Sequence, residues 1–201
     1  KGTYEAILGL IQPSTALLAN PTLGLTLLPS SPALAGAEVE LVEMDSRESK
    51  LKTALATLAD KFDYILIDCP PALNLLTVNG LTAAQAVMIP MQCEYYALEG
   101  LSDLVGTIKR VRAHLNPDLE IEGLLRTMYD PRNMLAQQVS EQLVSHFGDK
   151  VYRTVIPRNV RLAEAPSHGL PVMHFDRASK GAQAYIALAG EMLDRQTSAE
   201  A

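Results

Sequence analysis

Cysteine is scarce in this sequence. Only Cys69 and Cys93 occur among 201 residues, and each follows an apolar, strand-like run, where free cysteine commonly serves as a small buried hydrophobe. The two do not have the spacing of metal ligands, and they indicate no disulfide framework. We therefore expect two buried thiols in a protein of the reducing cytoplasm.

Long apolar runs and a signal-peptide pattern are also absent. No run approaches the length of about 18 residues that a membrane-spanning helix needs. The first residues lack the layout of a secretory leader, so the sequence predicts no membrane span. The chain begins with lysine, which indicates a fragment or a processed chain.

A third absence concerns phosphate binding. Enzymes that handle nucleoside triphosphates use a glycine-rich loop, whose backbone amides wrap the phosphates and whose lysine neutralises them. No G-x-x-x-x-G-K-[ST] motif or related loop occurs in the 201 residues. The sequence therefore contains no evident segment that grips a triphosphate.

Basic residues are outnumbered overall. A net charge of −6 and a pI near 5.2 argue against a globally basic nucleic-acid binder. However, residues 1–100 hold 5 Lys and Arg against 11 Asp and Glu, whereas residues 101–201 hold 12 of each. Between residues 126 and 161, six side chains are basic and three are acidic. A local basic surface is therefore compatible with an acidic protein.

Residues 63–71, DYILIDCPP, form the central stretch of the sequence. Four apolar residues in a row, followed by two prolines, predict a strand that is buried on both faces, as in a parallel sheet. Asp68 then lies at the carboxyl end of the strand, where ligands bind in open α/β sheets. The alternative is that Asp68 caps the following turn.

Strand-like and helix-like segments alternate from residue 23 to residue 195. The predicted strands are residues 23–28, 64–67, 86–90, 122–129 and 152–156, with an edge strand at 171–175. The predicted helices are residues 3–11, 32–42, 46–60, 73–81, 98–115, 133–147 and 178–195, with Ser46 as N-cap of the third. The alternation predicts an α/β fold with a mostly parallel, doubly wound sheet and helices on both faces. We expect a single domain over residues 1–195 and a disordered tail at 196–201.

Three of the predicted strands end in polar side chains. Asp68 follows one strand, Gln92 and Glu94 follow the next, and Thr127 with Asp130 follows the third. Hard oxygen ligands held by rigid elements suit a Mg²⁺ ion. The sequence therefore predicts a phosphate and metal site beyond these strand ends.

Four ordered segments resemble one protein family. They are YILIDCPPALNLLTVNGL at 64–81, IPMQCEYYALEGL at 89–101, TMYDPRNMLAQQV at 127–139 and TVIPRNVRLAEAPSHGLPV at 154–172. They are similar to segments of the ParA/Soj chromosome- and plasmid-partitioning ATPases, a deviant-Walker branch of the P-loop NTPases that also contains MinD. The similarity covers nearly the whole chain.

The resemblance also implies what this chain does not contain. Family members begin with a strand, a KGGVGKTT-type loop, a helix and a strand with a D-x-D-P-Q-type switch, all of which would precede Lys1. The family uses ATP and Mg²⁺, and the absent segment would carry both P-loop lysines. We therefore expect no hydrolysis by this chain alone. A sheet without its P-loop strand should expose apolar edges, so we also expect oligomerisation or poor solubility.

The resemblance assigns nucleotide-binding roles to four residues. Asp68 matches the Walker B aspartate that helps to hold Mg²⁺. Pro157 and Asn159 match the loop that lies against the adenine base, with Met128 nearby. For Asn159 the alternative is an N-cap of the following helix. Residues 92–100 resemble the segment near the nucleotide-sandwich dimer interface, although Tyr95, Tyr96 and Leu98 fit a packing role equally well.

Two arginines match DNA-binding positions of the family. Arg132 and Arg161 correspond to arginines that support sequence-independent DNA binding by the ATP-bound dimer, and a guanidinium group on a loop can reach phosphates bidentately. Arg153, Arg177 and Lys180 are weaker members of the same surface. The alternative for Arg132 and Arg161 is that they are ordinary solvated arginines.

Two functions follow from the resemblance. The first is a partition ATPase whose ATP-dependent homodimer binds nucleoid DNA nonspecifically and is regulated by a ParB-type centromere-binding protein. The second is a non-enzymatic module that retains the DNA- or partner-binding surface without turnover. MinD-like membrane association is disfavoured because the end of the chain, DRQTSAEA, has no amphipathic basic and apolar pattern.

Overall fold

A computed structural model of the chain describes residues 1–70 and 72–199. The chain forms two compact units, the first made of residues 1–86 and 104–120, and the second of residues 87–103 and 121 onward. The helix at Ala97–His114 has residues in both. The prediction of one domain over residues 1–195 stays a prediction.

The first unit is built from short helices and one hairpin. In chain order these are helix α1 (Thr3–Ile7), strands β1 (Leu18–Asn20) and β2 (Leu25–Leu27), and helices α2 (Leu34–Val42), α3 (Lys50–Ala56) and α4 (Leu75–Ala83), with 3₁₀ turns at Pro13–Ala16, Arg47–Ser49 and Ala59–Lys61. Its core is formed by Ile7, Leu8, Ala37, Leu41 and Leu51. The apolar faces of α1, α2 and α3 thus meet in one cluster, as their helical spacing predicts.

Helix α1 is shorter than predicted because Gly9 ends it. Gly9 has a φ of +74°, and the N–H group of Leu10 donates to the carbonyl of Glu5 at 2.9 Å. This is the glycine-dependent helix end in which left-handed backbone satisfies the last carbonyls. The chain then reaches the antiparallel hairpin, in which Leu18 lies opposite Leu27. The prediction of a strand at 23–28 is confirmed, whereas the short strand β1 was not predicted.

The predicted N-cap of the third helix is wrong. Ser46 has a left-handed φ of +50° and its side chain makes no capping bond. The buried amide of Asn79 holds this helix start instead: it accepts from the N–H of Leu51 at 3.0 Å and donates to the carbonyl of Arg47 at 2.8 Å. A second donation to the carbonyl of Leu75, at 3.0 Å, anchors the amide on α4. The start of α3 is therefore fixed by α4 through a tertiary contact.

The predicted strand at 64–67 is also wrong. Residues 64–70 form no strand. A strand needs a ladder with its neighbour in a sheet, and the sheets of the described residues consist of β1 with β2 and of the second unit's strands. Leu66 is 86% exposed, while Ile67 packs against the first unit's core. Cys69 is exposed, contrary to prediction, and it lies so close to α4 that a Cβ atom on Gly80 would be 2.8 Å from its sulfur.

The second unit contains the larger sheet. Its strands are β3 (Ala86–Gln92), β4 (Glu120–Tyr129) and β5 (Val151–Pro157), with Ala86 and Glu120 counted in the first unit. Its helices are α6 (Met134–Phe147), α7 (Val160–Glu164), α8 (Val172–Phe175) and α9 (Lys180–Ala199), and helix α5 (Ala97–His114) is shared by the two units. The strands form a parallel sheet in the order β3, β4, β5. The predicted strands at 86–90, 122–129 and 152–156 and the predicted long helices are confirmed. The α/β fold is therefore as the sequence predicts.

Two predictions near the end of the chain need correction. Residues 172–175 form helix α8 in place of an edge strand, since the carbonyl of Pro171 accepts from the N–H groups of His174 and Phe175 and Val172 packs in a cluster with Ala165 and Ala182. Helix α9 reaches Ala199, so the predicted disordered tail begins too early. Residues 200 and 201 lie outside the described residues.

The pairing of β4 with β5 is irregular at two places. Leu124 pairs with Val151, Arg126 with Val155, and Tyr129 with Pro157. Between the first and second of these pairs, β5 contains two more residues than β4. Between the second and third pairs, β4 contains one more residue than β5. Met128 lies in this second interval with a φ of +49°, a backbone conformation that non-glycine residues rarely adopt. It accounts for the extra residue of β4 as a bulge.

Candidate functional site

The carboxyl ends of β3, β4 and β5 surround a small polar pocket in the second unit. The pocket has a volume of about 120 Å³. Its walls come from the three strand ends and from the start of α6: Gln92, Cys93, Glu94, Met128, Tyr129, Asp130, Asn133, Ala136 and Arg158. Parallel strands bring their carboxyl ends to one edge of the sheet. Of the predicted set, Gln92, Glu94 and Asp130 line this pocket together with Met128, whereas Asp68 and Thr127 are not among its lining residues.

The loop at 157–159 is tied to the end of β4. Pro157 pairs with Tyr129, and the N–H group of Arg158 donates to the carbonyl of Tyr129 at 3.1 Å. Met128, one residue earlier, carries the left-handed backbone and an exposed side chain. Backbone strain at an exposed site needs surrounding structure to hold it and is common at ligand sites. Met128 and Pro157 therefore lie on neighbouring strand ends.

Asn159 acts as a helix cap. Its Oδ1 atom accepts from the backbone N–H group of Arg161 at 3.0 Å, at the start of α7. Asn133 plays the same part at the start of α6, where Oδ1 accepts from Leu135 at 3.0 Å and from Ala136 at 3.4 Å. The alternative role for Asn159 is therefore realised, and the amide's other atom stays available for a second role.

Arg132 is paired with Asp130. The guanidinium Nε and Nη2 atoms donate to the two carboxylate oxygens at 3.0 and 2.8 Å, and the backbone N–H group of Arg132 adds a third bond at 3.0 Å. These donations, with the side-chain bond first, lower the pKa of Asp130 to about 2. The Arg132 side chain is still 89% exposed. Asp130 therefore fixes the direction of a guanidinium group that remains open to solvent.

Arg161 is paired with two carboxylates. Its Nη1 atom lies 2.7 Å from Oε2 of Glu164, and its Nε atom lies 3.3 Å from Oδ2 of Asp176. The pair with Glu164 has the i, i+3 spacing that favours helical ion pairs, so the sequence contained that signal. Asp176 reaches Arg161 only through the fold. The side chain of Arg161 is 52% exposed.

The two arginines therefore share one arrangement. Each follows a strand of the same parallel pair, each is oriented by acidic neighbours, and each keeps part of its guanidinium group in solvent. Exposed ion pairs stabilise a fold only slightly, so an incoming phosphate can compete for the free edge of either group. Because these arginines are paired with carboxylates, the excess of basic residues between positions 126 and 161 overstates the positive charge of this surface.

Asp68 belongs to the first unit and is exposed. It does not cap α4: the N-cap is Asn74, whose side chain accepts from the N–H group of Thr77 at 3.0 Å. In the part of the chain that the structure describes, no group of three or more His, Cys, Asp or Glu could hold a metal ion. One exposed carboxylate, without a glycine-rich loop, does not fit Mg²⁺ and ATP by itself.

Tyr95 and Tyr96 occupy the turn after β3. Both side chains are exposed, and their rings meet edge to face with centroids 5.1 Å apart. The packing role that the sequence left open for them is therefore wrong. Cys93 beside them is buried, as predicted.

Sequence comparisons place the chain among known proteins. The model of a family described as an AAA domain matches residues 3–121. The sporulation initiation inhibitor protein Soj of Bacillus subtilis is 57% identical over 168 residues, which cover 84% of this chain and 66% of that protein. The chromosome partitioning protein ParA of Myxococcus xanthus is 51% identical over 195 residues, covering 96% and 69%. The chain belongs to the ParA/Soj family.

The fold of this ParA/Soj chain is similar to that of a solved structure. The cobyrinic acid a,c-diamide synthase of Mycobacterium smegmatis, with a bound ATP analog and magnesium, superposes with a TM-score of 0.86 at 39% identity, over 99% of this chain and 74% of that one. The likeness confirms the predicted α/β fold of the P-loop NTPase class. Among the described residues, no helix of this ParA/Soj chain is long and apolar enough to cross a membrane.

Proposed function

We propose that this chain binds DNA and contacts the adenine base of ATP in a chromosome-partitioning ATPase. In this proposal an ATP-dependent homodimer binds nucleoid DNA without sequence preference, and a ParB-type centromere-binding protein regulates it. The observation that carries the proposal is the placement of Arg132 and Arg161 after the two paired strands β4 and β5, each oriented by carboxylates and open to solvent. Guanidinium groups held in this way suit phosphates and read no bases.

The nucleotide part of the proposal uses four further residues. Met128 and Pro157, on neighbouring strand ends, and Asn159, beside them, contact the adenine base of ATP. Separately, Asp68 of the first unit supplies one of the several oxygen ligands that a Mg²⁺ ion needs. In support, a 39% identical protein has been solved with an ATP analog and magnesium. The geometry also leaves a free edge on the Asn159 amide, because only Oδ1 is used in capping.

Duplex DNA of mixed sequence tests the DNA-binding proposal. The encoded protein at full length, with ATP and Mg²⁺, is titrated with fluorescent DNA at several salt concentrations. Arg132→Ala and Arg161→Ala should each weaken binding about tenfold, the value of a charge-assisted hydrogen bond, and each should reduce the slope of affinity against salt by about one. The effect should be equal on all sequences, because phosphates carry no sequence information.

Arg47→Ala provides the matched control. Arg47 is also an exposed arginine in an ion pair, at 3.0 Å from Glu48, but it lies in the first unit. Its replacement should leave both affinity and salt slope unchanged. If Arg132→Ala and Arg161→Ala behave like Arg47→Ala, the DNA-binding assignment is wrong.

We also propose that these 201 residues do not hydrolyse ATP by themselves. Two observations support this: the sequence has no glycine-rich loop with a lysine, and the described residues supply no metal cluster. Phosphate release from ATP by the isolated chain should match that of buffer. Turnover above this background that disappears in Asp68→Asn would contradict the proposal.

A further inference from the structure

Strand β5 leaves its regular ladder halfway along. Leu124 and Arg126 are two positions apart, whereas their partners Val151 and Val155 are four positions apart. Residues 152–154 therefore form a bulge against β4. Backbone N–H and C=O groups in such a bulge lose ladder partners and must find others, because leaving them unpaired inside a protein is costly.

Charged side chains supply these partners. Glu191 of α9 accepts from the N–H groups of Arg153 and Thr154, each at 2.8 Å through a different carboxylate oxygen. On the other side, Nη2 of Arg126 donates to the carbonyls of Tyr152 and Arg153 at 2.7 and 3.3 Å. The bulge is thus held between a carboxylate and a guanidinium group.

A third charge joins the arrangement. Arg195 donates through Nη2 to Oε1 of Glu191 at 2.9 Å and to the carbonyl of Val151 at 3.0 Å, and it lies over the ring of Tyr152 at 4.1 Å. We call Arg126, Glu191 and Arg195 the charged clamp. The charged clamp joins strand β4, the bulge of β5 and helix α9.

The clamp is unusual because its charges are largely withdrawn from water. Glu191 is 8% exposed, and Nε of Arg126 is buried without a hydrogen-bond partner in the described part of the chain. Burial alone would raise the pKa of Glu191, but donations from Thr154, Arg153 and Arg195 outweigh it and bring the pKa to about 2. Buried charges are weak contributors to stability compared with apolar packing. Their use here points to control of geometry.

The geometry that the clamp controls leads directly to the candidate site. After the bulge, Val155 pairs again with β4, Pro157 meets Tyr129, and Arg158 donates to the carbonyl of Tyr129. Asn159 then caps the helix that carries Arg161. The loop at 157–159 thus begins three residues after the last bulged residue, with no flexible linker between them.

We propose that Arg126, Glu191 and Arg195 are positioning residues that hold the bulge of β5 and thereby set the place of the 157–159 loop and of Arg161. The inference rests on the proposed function, because it gives the clamp a role in DNA binding through Arg161. The clamp touches neither DNA nor nucleotide in this proposal. Its effect passes through the backbone of β5.

Two measurements on the full-length encoded protein test this inference. The first is hydrogen exchange at the Arg158 amide, which bonds to Tyr129. Glu191→Gln keeps the shape of the side chain but removes one of the two acceptors, so exchange at Arg158 should become about tenfold faster. Exchange at Leu143 in α6, which is fully buried, reports the loss of global stability. It should remain slower than exchange at Arg158, so that the acceleration at Arg158 arises from local opening. Glu141→Gln, an exposed change of the same kind, is the control and should alter neither amide.

The second measurement is a set of double mutants in the DNA titration. Glu191→Gln should weaken DNA binding about threefold in the wild-type and Arg132→Ala backgrounds, and should add nothing in the Arg161→Ala background. A general loss of stability would weaken binding equally in all three backgrounds. This pattern therefore separates positioning from a merely structural effect.

Each outcome decides the inference. Equal weakening in the Arg132→Ala and Arg161→Ala backgrounds, or unchanged exchange at Arg158, overturns it. If Arg161→Ala alone leaves DNA affinity unaltered, the proposed DNA-binding role of Arg161 has failed, and hydrogen exchange at Arg158 still decides whether the clamp positions the loop. Should Glu191→Gln not fold, Arg126→Lys replaces it. The same two results are expected, because lysine cannot bridge all the acceptors of Arg126.

Discussion

Two seven-residue segments of this chain have similar apolar composition, but only one of the two forms a strand. Residues 64–70, YILIDCP, and strand β5, VYRTVIP, are both rich in apolar residues and both end in proline. Strand β5 pairs with β4 and buries Tyr152 and Ile156, whereas residues 64–70 form no strand and leave Leu66 exposed. An apolar run therefore shows that a segment is able to form a strand, whereas packing against the rest of the fold decides whether the strand forms.

The largest expected contrast between the two segments concerns stability. Tyr152 is fully buried, and its hydroxyl donates to Glu122 at 2.8 Å. Tyr152→Ala should therefore reduce the free energy of unfolding by about 3–5 kcal/mol. Leu66→Ala should change it by less than about 0.5 kcal/mol. Urea unfolding followed by circular dichroism measures both, and similar losses for the two variants would contradict the contrast.

The next contrast concerns pH, because β5 depends on the buried carboxylate of Glu191. The pKa of Glu191 is about 2 in the folded protein, below its unfolded value. Its stabilisation is therefore complete above about pH 5 and is lost as the pH falls towards 2, by roughly 3 kcal/mol in total.

Glu191→Gln isolates this pH effect. The variant should be less stable than wild type at pH 7, and the difference should shrink as the pH falls through that window. Glu141→Gln serves as control, since its carboxylate is exposed. A difference between wild type and Glu191→Gln that is constant from pH 7 to pH 3 would mean that Glu191 does not carry this linkage.

Self-association should distinguish the exposed segment. Ile65 and Leu66 expose apolar side chains in this segment, and contiguous exposed apolar surface favours association, so we expect the 201-residue chain to self-associate through residues 64–70. Leu66→Lys should raise the concentration at which association begins by about tenfold, equal to about 1.4 kcal/mol. Sedimentation velocity measures this. Leu10→Lys, at another exposed leucine of the first unit, is the control, and equal effects of both changes would remove the special role of the segment.

The smallest expected effect concerns Arg132. Asp130→Asn removes the carboxylate that pairs with the guanidinium group and one negative charge from the candidate DNA surface. DNA affinity should rise about two- to threefold, since exposed pairs have small energies. Glu48→Gln, which frees Arg47 in the same way, should have no effect. Weaker binding by Asp130→Asn would mean that the orientation of Arg132 matters more than its charge.

Much of the second unit could be predicted from the sequence. The strands β3, β4 and β5 are apolar runs bounded by proline or polar residues, and α5, α6 and α9 have clear helical spacing. For the same reason the convergence of Gln92, Glu94 and Asp130 could be predicted, because parallel strands share one carboxyl edge. Local pattern and tertiary structure agree in this part of the chain.

The rest depends on contacts between residues far apart in sequence. The bulge in β5 cannot be inferred from VYRTVIP, because it exists through Glu191 and Arg126, which lie 38 and 27 positions from Arg153. The pairing of Arg161 with Asp176 was missed for the same reason. The strand at 64–67 was mispredicted because the pattern is that of a buried strand, whereas the rest of the fold decides whether a sheet includes the segment.

The buried amide of Asn79 has a consequence for how the first unit moves. One side chain connects a carbonyl of the turn before α3, the N–H group of Leu51 in α3 and a carbonyl of α4. Neither helix can detach without breaking hydrogen bonds of this amide, each of which contributes to stability. The two helices should therefore fluctuate as a single cooperative block, opening together or not at all.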